Sequence, residues 1–202
     1  MKFLALGDSY TIGEAVSEAE RWPVVLADQL ARGGIRLGPP EIIAQTGWTT
    51  DELAAAIITA RPVGPYDLVS LLIGVNNQYR GRPAEEFSRE LRGLLQTASS
   101  LAGGESRRVI ALSIPDWGVT PFADGRDRAA IASEIDRYNA IVCSEASQRN
   151  ARFVDITGAS RLAANREELT ASDGLHPSAA MYADWVRLVL PEARAALASA
   201  GR

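Results

Sequence analysis

The chain has 202 residues, 47% of them apolar, which suits one α/β domain with a sizeable core. A formal charge of −4, without a basic stripe, argues against nucleic acid as a partner. No apolar run reaches the roughly 20 residues of a membrane-spanning helix, so we expect no membrane span. Cys143 is the single cysteine and rules out an internal disulfide. The first residues lack a signal-peptide pattern, which predicts a cytoplasmic protein.

Short apolar runs alternate with amphipathic stretches along the whole chain. The runs typical of buried strands are 2–6, 42–45, 67–73, 108–114 and 152–155. The stretches with helical periodicity are 22–32, 51–60, 83–101, 128–149 and 178–200. This alternation indicates βαβ units and a parallel sheet covered on both faces. We therefore predict one domain over 1–202, a three-layer α/β/α sandwich whose five strands follow the flavodoxin-like order 2-1-3-4-5.

Polar groups follow the first three predicted strands, where a 2-1-3 order places the ligand site of an open α/β sheet. The segments are Gly7-Asp8-Ser9-Tyr10, Thr46-Gly47-Trp48 and Gly74-Val75-Asn76-Asn77. They supply a hydroxyl from Ser9, a backbone N–H from Gly47 and a carboxamide from Asn76. These are the groups of a nucleophile flanked by two donors to an oxyanion.

The chain holds one histidine, His176, in the segment Asp173-Gly174-Leu175-His176-Pro177 just before the last predicted helix. An aspartate three residues before a histidine can bring its carboxylate to Nδ1 and leave Nε2 free. Nε2 can then take a proton from Ser9. The only histidine, the serine after strand 1 and the donors on neighbouring strands thus fit one mechanism, with Ser9, Asp173 and His176 as a catalytic triad.

The same residues resemble the characteristic blocks of the SGNH (GDSL-type) hydrolases, in the family's order and over nearly the whole chain. The four matching blocks are Gly7-Asp8-Ser9-Tyr10, Gly47, Gly74-x-Asn76-Asn77 and Asp173-x-x-His176. The resemblance implies the SGNH fold and hydrolysis of esters or thioesters without a metal or organic cofactor. It also implies an oxyanion hole formed by the N–H groups of Ser9 and Gly47 and the side chain of Asn76.

Two positions depart from the family's pattern. Tyr10 stands where the family usually has leucine, a change that we expect to affect packing only. Asn77 stands where the family has aspartate, and we expect its side chain to brace the surrounding loop rather than act on the substrate.

Three aromatic residues near these blocks are candidates for substrate contacts, with plain packing as the alternative: Trp48, Trp117 and Phe122. The connections 9–21 and 115–127 are the long ones next to the site, and they carry few large apolar side chains. We therefore expect a shallow pocket and a small ester with a short acyl chain as substrate, bound by a monomer or small homo-oligomer.

Other functions stay open at this point. The hydroxyl-rich loop 9–13 would also suit a flavodoxin-like module that binds FMN or another phosphate, but that interpretation leaves Asn76 and His176 unexplained. Within the family, the alternatives are an acetylated-carbohydrate esterase, a lysophospholipase or thioesterase, and an acyltransferase.

Overall fold

A computed structural model describes residues 1–198 and contains a single sheet of five parallel strands. They are β1 (Phe3–Gly7), β2 (Glu41–Ala44), β3 (Leu68–Leu72), β4 (Val109–Leu112) and β5 (Arg152–Val154). Their order is β2-β1-β3-β4-β5, which confirms the predicted topology. Every residue of β1, β3 and β4 is buried, as expected of central strands with helices on both faces.

Eight α-helices connect and cover these strands. They are α1 (Ser9–Ile12), α2 (Trp22–Arg32), α3 (Thr50–Ala60), α4 (Val75–Tyr79), α5 (Ala84–Leu101), α6 (Arg128–Gln148), α7 (Thr157–Ser160) and α8 (Ala179–Ala198) among the residues described. Helices α2 and α8 pack together, while α5 packs between α3 and α6. The predicted three-layer α/β/α sandwich is therefore confirmed.

The helix starts follow from local chemistry. Pro23 occupies the first turn of α2, where a missing N–H costs no hydrogen bond. Thr49 and Glu52 form a reciprocal capping box at the start of α3. The predicted apolar stripe of α5 is buried along its whole length, from Phe87 to Ala98.

Several predicted bounds differ from the structure by one or two residues. Strand β4 ends at Leu112, not at residue 114, because the Asn139 side chain bonds both the N–H and the C=O of Ile114. The one-turn helices α1, α4 and α7 were not predicted, since four or five residues are too few for a helical period. The last two positions of the predicted helix 178–200 lie outside the described residues.

The segment between β5 and α8 is a third long connection beside the site, in addition to the two predicted ones. It contains α7 and two short 3-10 helices, Arg161–Ala164 and Glu167–Leu169. Its last part carries Asp173 and His176. The connection therefore contributes to the site directly.

The sheet register brings three loops to one edge. Gly7 at the end of β1 pairs with Ala44 of β2 and with Leu72 of β3. The chain therefore leaves all three strands at the same level, and the segments that hold Ser9, Gly47 and Asn76 meet there.

None of the helices within residues 1–198 combines the length and the apolar character needed to cross a bilayer.

Candidate active site

Ser9, His176 and Asp173 form a continuous chain of hydrogen bonds. The Nε2 atom of His176 lies 2.9 Å from Ser9 Oγ, and its Nδ1 atom lies 2.6 Å from Asp173 Oδ2. Ser9 and His176 are both buried. The structure thus brings together the three residues that the sequence predicted as a triad, in the geometry that lets an imidazole remove a hydroxyl proton.

The turn that carries Asp173 and His176 is stabilised by hydrogen bonds to its own backbone N–H groups. Asp173 Oδ1 accepts the N–H groups of Leu175 and His176, both at 2.9 Å. The His176 carbonyl accepts the Ala171 N–H at 2.8 Å. These bonds fix the aspartate on the Nδ1 side of the ring, so that Nε2 faces Ser9.

The Asp173 carboxyl remains ionised next to this imidazole. Partial burial by itself would raise its pKa, but the hydrogen bonds from the His176 ring and from the N–H groups of Leu175 and His176 outweigh that effect and lower the pKa. An ionised Asp173 accepts the Nδ1 proton and stabilises the charge that an imidazolium would carry.

Ser9 begins α1 directly after β1, and Gly7 allows this sharp transition. A Cβ at Gly7 would lie 2.2 Å from Thr11 Oγ1 and 2.4 Å from the Leu72 carbonyl oxygen, so no larger residue fits. Asp8 caps the helix by accepting the Tyr10 N–H at 3.0 Å. The serine hydroxyl is therefore placed by the backbone of a capped helical turn.

Burial raises the pKa of the Asp8 carboxyl to about 7, against the lowering effect of its backbone hydrogen bonds. The carboxyl next to Ser9 is therefore partly protonated at neutral pH.

Tyr10 packs behind the imidazole. Its ring centroid lies 5.5 Å from that of His176 and 6.2 Å from that of Trp185, and the side chain is buried. Tyr10 therefore has the expected packing role, but it does more than pack, because it also lines the pocket beside Ser9.

Gly47 and Asn76 present further hydrogen-bond donors beside Ser9. Gly47 has a φ of +85°, a conformation that favours glycine, and its carbonyl accepts Arg80 Nη2 at 2.6 Å. Asn76 Nδ2 donates to the Trp48 carbonyl at 2.9 Å, which leaves its second N–H free to bind another acceptor. Within residues 1–198, no acceptor is bound to the backbone N–H of Ser9 or of Gly47. Ser9, Gly47 and Asn76 thus each have an N–H group without an acceptor in the described residues, and all three residues line the same pocket.

A pocket of about 150 Å³ opens at these residues. Its polar side is formed by Ser9, Thr46, Gly47, Asn76 and His176, and its apolar side by Tyr10, Val75, Tyr79, Trp117, Phe122 and Leu175. Trp117 and Phe122 lie in the predicted place. Trp48 does not line this pocket and contributes its carbonyl, as the acceptor for Asn76, instead.

Several residues at this pocket are not distinguished by the sequence. Val75 and Leu175 stand beside recognised motif residues, but nothing in the sequence distinguishes a side chain that lines a pocket from one that packs in a loop. Arg80, which is exposed, also donates to the Gly47 carbonyl, a contact that no pattern in the sequence indicates. No group of three potential metal-binding side chains occurs in the described part of the chain.

A model of the GDSL-like lipase/acylhydrolase family matches residues 5–183, nearly the whole chain. The chain belongs to this family. It is accordingly a carboxylic ester hydrolase, and the resemblance seen in its motifs is confirmed. No curated protein sequence gives a significant match.

Solved structures similar to this GDSL hydrolase share its fold at low sequence identity. TesA has a TM-score of 0.76 at 18% identity, with 98% of this chain and 100% of that chain covered. The acetylxylan esterase Axe2 from Geobacillus stearothermophilus has a TM-score of 0.72 at 21% identity, with coverage of 95% and 93%. A lipolytic G-D-S-L family protein from Veillonella parvula has 0.71 at 17% identity, with coverage of 95% and 97%. At these identities the likeness concerns the fold alone.

Asn77, which replaces the aspartate of the GDSL hydrolases, joins α4 to the start of α3. The side chain is buried, its Oδ1 accepts the Thr50 N–H at 3.1 Å, and its Nδ2 donates to Thr50 Oγ1 at 2.7 Å. Thr50 Oγ1 in turn donates to Glu90. Asn77 thus has the bracing contacts that were expected of it.

We predict that Asn77→Asp changes kcat/KM by less than a few-fold but lowers the free energy of unfolding by about 1–2 kcal/mol. A carboxylate at this position keeps the bond from the Thr50 N–H, but the single Thr50 hydroxyl proton cannot serve both the new carboxylate and Glu90. Urea unfolding and ester hydrolysis measured on the same samples test this.

The matched control is Asn77→Asp combined with Glu90→Gln, which removes the competing carboxylate and should recover most of the lost stability. A fall in kcat of about 10²-fold in Asn77→Asp, as large as removal of an oxyanion donor causes, would contradict the bracing role.

Proposed function

We propose that this protein hydrolyses short-chain carboxylic esters through an acyl-enzyme intermediate on Ser9. The observation that carries the proposal is the hydrogen-bonded chain from Ser9 Oγ through His176 to Asp173, at 2.9 Å and 2.6 Å. In this proposal His176 is the general base and Asp173 orients and stabilises the imidazole.

In the first half of the reaction, Ser9 Oγ bonds to the ester carbonyl carbon while its proton moves to His176 Nε2. The carbonyl π electrons move to the oxygen, which becomes an oxyanion. The tetrahedral intermediate then collapses, the bond to the alcohol oxygen breaks, and the alcohol leaves with the proton from Nε2. Ser9 is left as an acyl ester.

Water completes the cycle through the same groups. His176 Nε2 takes a proton from water as its oxygen bonds to the acyl carbon. When the second tetrahedral intermediate collapses, Nε2 returns the proton to Ser9 Oγ and the carboxylic acid is released. The base is regenerated in its neutral form.

The proposed oxyanion hole consists of the N–H groups of Ser9 and Gly47 and the Nδ2 of Asn76. Three features support it: all three residues line one pocket, both backbone N–H groups lack acceptors in residues 1–198, and Asn76 is oriented by Trp48. Donors fixed before the reaction stabilise charge without a cost of reorganisation during it.

The preference for short acyl chains is supported by the small pocket volume. About 150 Å³ accommodates a group of roughly six carbon atoms, since an apolar cavity of that volume binds benzene. A cytoplasmic location and the oligomeric state stay predictions from the sequence.

Ser9 should be the residue that a fluorophosphonate labels. Its hydroxyl is the one that contacts the only histidine, so the covalent adduct should form there and be lost in Ser9→Ala. Mass spectrometry of the peptides after labelling identifies the site.

Ser113 is a suitable control, because its hydroxyl is also buried but bonds Asp155 rather than histidine. Ser113→Ala should still label at Ser9. Labelling of another serine in the unmodified protein would rule out Ser9 as the nucleophile.

Asn76→Ala should lower kcat by roughly 10²–10³-fold with little change in KM, because an oxyanion donor acts mainly in the transition state. Steady-state kinetics with one activated ester gives both constants. A change confined to KM would instead assign Asn76 to substrate binding.

For p-nitrophenyl esters of C2 to C16 acids, kcat/KM should reach its plateau by about C6 and then decline. Each buried methylene contributes about 0.8 kcal/mol, so kcat/KM rises only while added carbons still enter the pocket. The series is measured below the micelle threshold of each ester. A maximum at C10 or longer would contradict the short-chain proposal and favour a lysophospholipase or thioesterase.

A further inference from the structure

Three aromatic rings, one from the end of a helix and two from a loop, form one wall of the pocket. Tyr79 ends α4, while Trp117 and Phe122 lie in the connection between β4 and α6. The centroid of Tyr79 lies 5.4 Å from that of Trp117 and 6.1 Å from that of Phe122, and the last two are 5.9 Å apart. We call these three residues the aromatic wall.

The inner part of the aromatic wall is fixed by buried hydrogen bonds. Trp117 is buried, and its Nε1 donates to Gln78 Oε1 at 2.8 Å. Gln78 Nε2 donates in turn to Glu134 at 2.6 Å. The Trp117 ring is therefore held in one orientation by α4, the helix that also carries Asn76.

The outer part of the aromatic wall, Tyr79 and Phe122, is exposed to solvent rather than fixed by buried hydrogen bonds. Tyr79 is 46% exposed and Phe122 is 43% exposed. Side chains this exposed can turn into solvent unless a contact restrains them. The shape of the pocket mouth therefore depends on what holds these two rings.

Arg126 supplies that contact. Its guanidinium carbon lies 5.2 Å from the ring centroid of Tyr79, 5.2 Å from that of Trp117 and 5.5 Å from that of Phe122. Its Nη2 also donates to the Tyr79 hydroxyl at 3.1 Å. One cation thus contacts all three rings by cation–π attraction and bonds one of them directly.

The guanidinium has no competing ionic partner in the described part of the chain. Of the ion pairs between side chains there, none includes Arg126, whereas Arg128, two positions later, pairs with Asp124. The aromatic rings and the Tyr79 hydroxyl are therefore the groups that hold the Arg126 side chain in place.

We infer that Arg126 is a specificity-determining positioning residue, which holds the aromatic wall so that the pocket selects esters with one ring-sized apolar group. The inference rests on the proposed function, since it places that group beside Ser9. The pocket volume supports it: about 150 Å³ of largely apolar space matches a single six-membered ring. Because Arg126 does not itself line the pocket, it acts on the substrate through the three rings.

The test compares Arg126→Met with the unmodified protein on three esters. Ethyl phenylacetate carries the ring on the acyl side, phenyl acetate carries it on the alcohol side, and ethyl acetate carries none. The intrinsic reactivity of each ester cancels in the ratio of variant to unmodified protein. Initial rates in a pH-stat give kcat and KM for each.

Arg126→Met should reduce kcat/KM about fivefold for one of the two ring-bearing esters, mainly through KM, and change ethyl acetate by less than twofold. The ester that is affected identifies which side of the substrate contacts the wall. Arg126→Lys, which retains a cation over the rings, should recover part of the loss, and Tyr79→Phe should cause a smaller loss of the same kind. Arg32→Met is the matched control, because Arg32 is exposed on α2 and pairs with Asp28 away from the pocket residues.

Equal losses on all three esters, or no loss on any, would overturn the inference. A binding measurement separates this failure from a failure of the proposed function. In a Ser9→Ala background, Arg126→Met should raise the dissociation constant of the same ring-bearing ester about fivefold, read from tryptophan fluorescence. If Ser9→Ala retained full hydrolysis, the role of Ser9 would fall, while the ratio of kcat/KM between Arg126→Met and the unmodified protein on the three esters would still decide the role of Arg126.

Discussion

The hydrogen bond between His176 Nε2 and Ser9 Oγ joins residues 167 positions apart, and the arrangement of the site depends on it. Ser9 is placed by a strand end and a capped helical turn, whereas His176 is placed by a turn that Asp173 closes through backbone bonds. Both positions are fixed because a carboxylate next to each residue accepts hydrogen bonds from main-chain N–H groups. The distance between them is then determined by the sheet and by α8, whose Trp185 packs against Tyr10 behind the imidazole.

Helix α4 connects the parts of the pocket through four successive side chains. Asn76 bonds the Trp48 carbonyl, Asn77 bonds Thr50, Gln78 bonds Trp117, and Tyr79 bonds Arg126. One short helix therefore positions a proposed oxyanion donor, the start of α3 and the aromatic wall. A displacement of α4 would alter the proposed chemistry and the substrate preference together.

Two carboxyl groups close to Ser9 have pKa values shifted in opposite directions, for reasons that are visible in their surroundings. Asp8 is fully buried, and burial raises its pKa to about 7. Asp173 is partly exposed and accepts bonds from the His176 ring and two N–H groups, which lower its pKa. The lowered pKa keeps Asp173 ionised on the Nδ1 side of the imidazole, where a carboxylate stabilises an imidazolium.

The sequence by itself determined the order of the strands, the long helices and the three residues of the hydrogen-bonded chain, which are Ser9, His176 and Asp173. These follow from hydrophobic period, from the position of polar residues after strands, and from a single histidine that leaves one choice of base. The structure alone decided which further side chains share the pocket with the predicted residues. Trp48 lies outside it, Tyr79 lines it, and Arg126 covers its aromatic wall, because such contacts depend on how separate loops pack against each other in space. No local pattern in the sequence specifies that packing.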